Sequence, residues 1–94
     1  MRVRWVLKAI QNLANEAEFV GEDNPTAAAD LIERVFEATD RLAKFPDMGR
    51  PGRVPGTREL VIAGLPYIIP YRVRAGDVEI LRVFHAARKR PENF

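Results

Sequence analysis

The chain has 94 residues, 47% of them hydrophobic and 30% charged, which is enough for one core and too apolar for a disordered segment. It contains no cysteine, so a disulfide framework and a thiolate metal site are excluded, and no apolar run nears the ~20 residues that span a bilayer. The net charge of +2 hides a split: residues 1–48 hold six Lys/Arg against nine Asp/Glu, residues 49–94 nine against four. A basic second half points to an anionic partner; the plainer reading is a solvated surface whose arginines pair locally. The N-terminus, Met1 to Lys8, has basic residues but no long apolar stretch or small-residue cleavage site, so the chain reads as unprocessed and cytoplasmic.

Arg2-Val3-Arg4-Trp5-Val6 alternates polar and apolar, the mark of a short strand. Trp5 suits core or hairpin packing. A helical period follows, with Val6, Ile10, Leu13, Ala14, Ala17 and Val20 on one face. Gly21 is its expected stop. Asn24-Pro25 then supplies a cap and a proline for the first helical position. The second helix is expected to turn Ala28, Leu31, Ile32, Val35, Thr39, Leu42 and Phe45 inward. Asp30–Arg34 and Glu37–Arg41 form acid-first pairs at i,i+4, worth roughly 0.2–0.5 kcal/mol each. Pro46 ends this helix.

Residues 46–57 hold three glycines and three prolines in twelve positions, which reads as loop without regular structure. Strands are expected at 58–63, 67–74 and 78–84, with turns at Gly64-Leu65-Pro66 and Ala75-Gly76-Asp77. Tyr67, Ile69, Tyr71 and Val73 share one face of the middle strand, and Ile68, Pro70, Arg72 and Arg74 the other. Pro70 cannot donate to a ladder and argues for an edge strand or a bulge. Arg58 and Glu59 suggest a cross-strand ion pair, worth roughly 0–1 kcal/mol. Residues 1–94 thus read as a single α+β domain of order β-α-α-β-β-β. A helical hairpin packs on one face of a small antiparallel sheet. It can cover only that face, and the apolar residues left on the other invite a partner.

His85 is the only histidine. An imidazole suits general-acid work, but a lone one at a strand end is more often a hydrogen-bonded structural residue, and alone it makes no metal site. No metal or cofactor is expected.

The ordered set of residues resembles the RelE/ParE family of bacterial toxins along nearly the whole chain. The resemblance rests on Trp5, Ala9 and Leu13, then Asn24-Pro25-x-Ala27-Ala28, then Leu42-x-x-Phe45-Pro46 and Met48-Gly49-Arg50. It continues through Arg58-Glu59-Leu60, Pro66-Tyr67-x-Ile69-x-Tyr71-Arg72-Val73 and Val78-Glu79-Ile80-Leu81-Arg82-Val83-x-His85-x-x-Arg88. It implies the toxin of a type II toxin–antitoxin module, neutralised by a ParD-like or RelB-like antitoxin that wraps it with a helix or an added strand. RelE-like members cut messenger RNA on the ribosome; ParE-like members poison DNA gyrase. The nucleases carry an arginine in the third strand where this chain has Ile68, and an aromatic or His acid near the C-terminus, for which His85, Tyr71 and Phe94 are the candidates. The expected nuclease site is incomplete, which favours a gyrase inhibitor over an enzyme. Arg72 and Arg74, on the face away from the helices beside Ile68, suit antitoxin carboxylates and with Arg58 and Ile68 make the expected antitoxin-binding set. Arg88, Lys89 and Arg90 are the expected target-binding set through phosphate, the plainer reading being a solvated tail. The alternative is a metal-independent endoribonuclease built on Arg58, Arg72, His85 and Arg88.

Overall fold

The computed structural model describes residues 1–87, and Arg88, Lys89 and Arg90 lie outside them. Strand β1 (Arg2–Trp5) leads into helices α1 (Leu7–Asp23) and α2 (Pro25–Asp40), a 3-10 turn at Arg41–Ala43, and strands β2 (Arg50–Pro51), β3 (Arg58–Val61), β4 (Tyr67–Arg74), β5 (Asp77–Ile80) and β6 (Phe84–His85). The strands form one sheet in the order β1-β5-β4-β3-β2, with β6 on β4 beyond the end of β5. The helical hairpin lies on one face of it, as expected. The pairs are antiparallel apart from β1 and β5, which run parallel from Arg2↔Asp77 to Trp5↔Ile80. Most of the chain separates those two strands, which leaves the direction of β1 unconstrained by any tight turn.

Asn24 alone joins the helices. Its backbone N–H donates to the Val20 carbonyl (3.0 Å), and its side-chain oxygen accepts from the Ala27 amide (3.0 Å), ending α1 and capping α2. Gly21 is not the stop: α1 runs through it to Asp23. A Cβ at Gly21 would meet the Ala28 Cβ at 3.3 Å, so glycine lets the two helices approach rather than ending one.

The buried faces differ from the apolar pattern. In α1, Ala9, Leu13, Glu16 and Ala17 are buried, while Ile10 is 50% exposed and Ala14 is exposed. In α2, Leu31, Val35, Ala38 and Thr39 face in, while Ile32 and Phe36 are largely exposed. Small residues win the interior because the hairpin packs close. Phe45, expected inside, is 59% exposed, because α2 ends at Asp40 and the chain turns away. Arg34 donates to the Ala63 carbonyl (2.6 Å), tying α2 to the sheet, where pairing with Asp30 was expected.

Pro70 marks a bulge, not an edge. Between the pairs Tyr71↔Ile80 and Ile68↔Phe84, β4 spends two residues and its neighbour three. The Leu81 amide donates to the Pro70 carbonyl (2.9 Å). β4 is the central strand, with Tyr67, Ile69 and Tyr71 buried against the helices as expected. Ile68, Pro70 and Leu81 on the far side are buried too, so the apolar surplus predicted there is already covered. The loop expected to lack regular structure forms β2, where Arg50 and Pro51 pair with Glu59 and Arg58. At this edge the missing Pro51 N–H costs nothing.

Candidate interaction surfaces

Alternation along the strands turns Arg2 and Arg4 of β1, Asp77 and Glu79 of β5, and Arg72 and Arg74 of β4 toward the face away from the helices. Register aligns them in two rungs: Arg2–Asp77–Arg74 and Arg4–Glu79–Arg72. Arg2 and Arg4 reach Asp77 at 3.1 and 3.3 Å. Glu79, its side chain 7% exposed, is held by Arg72 at 2.8 Å and by Arg4. The Arg72 hydrogen bond, opposed by burial, keeps the Glu79 carboxyl below the usual carboxylate range, with the Arg72, Arg4 and Arg74 charges adding to the effect. A second buried carboxylate on this face, Glu59, pairs with Arg50 at 3.1 Å and accepts from the Arg53 amide at 3.3 Å.

On the helix side of the sheet, Tyr71 fixes the loop after α2. Its hydroxyl donates to the Pro46 carbonyl (2.6 Å) and accepts from the Gly49 amide (2.9 Å). Burial pushes the phenol above its ordinary pKa, against the Gly49 hydrogen bond. A Cβ on Gly49 would stand 2.6 Å from the Tyr71 ring, so only glycine fits there. Arg58 adds bonds to the Gly49 carbonyl (2.9 Å) and to Asp47 (3.5 Å). Held this way, the loop presents Phe45 and Met48, 59% and 44% exposed. Beside it opens a cleft of about 480 Å³ between α2 and β3, lined by Ala38, Leu60 and Val61 with Arg41 and Arg50. β2 covers only the first half of β3, leaving this edge open.

The residues singled out in the sequence are therefore dispersed. Arg58 and Glu59 do not pair with each other: Arg58 clamps the loop on the helix side and Glu59 binds Arg50 on the far side. Arg72 is engaged by Glu79 on that far side. Ile68 is 6% exposed and offers little surface to a partner. His85 sits opposite Tyr67 in β6, edge-on to its ring at 5.6 Å, with Nδ1 accepting from the Ala87 amide. The Tyr67 hydroxyl reaches Glu16 at 3.5 Å. Arg58 pairs opposite Tyr71 and His85 opposite Tyr67, about 13 Å apart along β4 at ~3.3 Å per residue. Trp5 packs on the core and against Phe36, ring centroids 5.1 Å apart. Sequence reading missed the rungs, although the signal was there: Arg2/Arg4, Arg72/Arg74 and Asp77/Glu79 are all charged pairs at i,i+2 in strands.

The family model described as the ParE toxin of the type II toxin–antitoxin system parDE matches residues 3–90. The chain belongs to the ParE toxin family. This ParE-family chain is 48% identical over 91 residues to Y4kP of Sinorhizobium fredii, covering 97% of this chain and 94% of that one. It is 38% identical over 87 residues to toxin RelE2 of Caulobacter vibrioides, covering 93% and 97%. Among solved structures, a chain of the chromosomal ParDE system from P. aeruginosa matches with a TM-score of 0.83 at 27% identity, covering 90% of this chain and 95% of that one. The chain is thus a ParE-like toxin of a type II toxin–antitoxin system, and its family implies an antitoxin partner. Among the described residues, no helix is long and apolar enough to cross a membrane.

Proposed function

We propose that this ParE-family toxin arrests growth by binding DNA gyrase rather than by cutting RNA, and that its antitoxin silences it. The observation that carries the reading is the separation of Arg58, Arg72 and His85. Metal-free RNA cleavage needs a base for the 2′-hydroxyl, an acid for the leaving oxygen and cations around one phosphorane. Here the candidates occupy opposite faces and opposite ends of β4, with polar atoms engaged by Gly49, Glu79 and Ala87. Ile68 at the place of the nuclease arginine supports the same reading. A toxin without that chemistry acts by occupying a protein. The antitoxin is assigned to the cleft beside β3, where Leu60, Val61 and Met48 take apolar side chains and Arg41 and Arg50 take carboxylates.

Purified toxin is expected to inhibit supercoiling by gyrase and to trap gyrase–DNA cleavage complexes, while translation continues in cells that express it. Rapid loss of translation with no cleavage complexes would sink the reading. The likeness to toxin RelE2 favours a second one, ribosome-dependent cleavage of messenger RNA. Primer extension on cellular mRNA tests it. Cuts that vanish when His85→Ala is combined with Arg88→Ala, the latter outside the described residues, would establish it.

A further inference from the structure

We infer that the sheet face away from the helices is a binding site for the phosphodiester backbone of nucleic acid, recognised by charge and not by base sequence. The inference goes beyond the gyrase reading and does not depend on it. The two rungs carry four arginines and two carboxylates, a net of +2. Asp77 holds Arg2 and Arg4, and Glu79 holds Arg4 and Arg72, while Arg74 stands opposite Asp77 by register alone. Two residues along a strand set the rungs roughly 7 Å apart, and the arginines within a rung stand two strand spacings, roughly 10 Å, from each other. The result is an array of guanidinium forks, three of them held by carboxylates, and such forks match phosphate oxygens. Side-chain exposures of 74% at Arg2, 45% at Arg4 and 39% at Arg72 leave donors open to solvent, and Arg74 is exposed as well.

Apolar surface decides between a polynucleotide and an acidic polypeptide. Protein partners anchor through exposed apolar residues at the centre of the contact. Around the rungs, Ile68, Pro70 and Leu81 are already buried. Val61, the exposed apolar residue of this face, sits across β4 beside the cleft. Phe45, Met48 and Phe36 stand on other surfaces. What binds the rungs must do so by charge, as a phosphate backbone does. Residues 7–40 hold two Lys/Arg and eight Asp/Glu, but they belong to the helices on the opposite side of the sheet, so a polyanion seated on the rungs contacts the arginines and not those carboxylates.

The test is fluorescence anisotropy of the full chain with a labelled duplex and a labelled single strand of mixed sequence, titrated with salt. Engagement of two to four phosphates gives log K a slope of about −1.8 to −3.6 against log salt on the duplex. Arg2→Gln combined with Arg74→Gln should flatten that slope by about 0.9 for each arginine removed. Asp77→Asn, which takes a negative charge off the face, should tighten binding. Lys8→Gln on α1 should leave it unchanged. Absence of binding at low salt overturns the inference, as does binding that keeps its slope in the double arginine variant. Competition by polyglutamate at the same charge concentration as effective as that by unlabelled DNA would also overturn it, and would give the face to acidic polypeptides.

Discussion

Tyr71 carries its hydroxyl at the tip of a fully buried ring, where it serves two backbone groups of the loop after α2. Tyr71→Phe leaves the Pro46 carbonyl and the Gly49 amide without that partner, a loss of about 1–3 kcal/mol, seen as a lower urea midpoint at unchanged slope. The raised phenol pKa adds an alkaline signature. Stability contributed by the neutral phenol is complete below the ordinary value of ~10 and falls as pH rises from there through the higher folded value. Tyr71→Phe removes that alkaline decline. Glu79 works in the opposite direction. Its folded pKa is depressed, so its contribution is complete above the unfolded value of ~4.3 and is lost as pH falls from there through the lower folded value. Glu79→Gln is expected to be less stable than the parent at neutral pH, with the difference shrinking in melts below about pH 4.

The β4–β5 hairpin turns on two residues, Ala75 and Gly76, both at positive φ (53° and 79°). That is the geometry of a tight primed turn, which glycine and asparagine fill without strain and alanine does not. Ala75→Gly should therefore raise stability by about 0.5–1 kcal/mol, the relief of left-handed strain less the backbone entropy glycine adds to the unfolded chain, measured by denaturant unfolding. The elements also mark what the sequence could tell. Strands, helices and the Asn24 cap were readable because propensity, caps and period agree at those places. The helix faces were not, because Ala9 and Ala38 are buried by the closeness of the hairpin and not by their own hydrophobicity. The bulge opposite Pro70 was readable as a missing donor, while the parallel partner of β1 lay 75 residues away in Asp77 and left no local trace. The family resemblance could name candidate arginines on β3 and β4. It could not say which arginines were already engaged, since that depends on register.

Across the whole molecule, charge is divided between the two layers. The helices carry the acidic charge, the far face of the sheet carries the arginines, and Phe45 and Met48 stand at the end between the layers. A protein partner has its best anchor at that end. Phe45→Asp combined with Met48→Asp touches exposed side chains and should leave the fold intact. It is expected to weaken antitoxin binding at least about tenfold, or 1.4 kcal/mol, by calorimetry. Cells carrying this variant beside the antitoxin should then lose protection if the variant keeps its toxicity.

The parallel pairing of β1 with β5 also sets an order of events during synthesis. β1 finds its neighbour only when Asp77 to Ile80 have left the ribosome, and non-local pairings of this kind form late. Until then the chain holds a helical hairpin with no finished sheet to receive it, and neither arginine rung exists. A chain cut short before β5 therefore lacks the surface on which the rungs are built. An antitoxin that needs the finished sheet likewise has nothing complete to meet until β5 has joined β1 and β4.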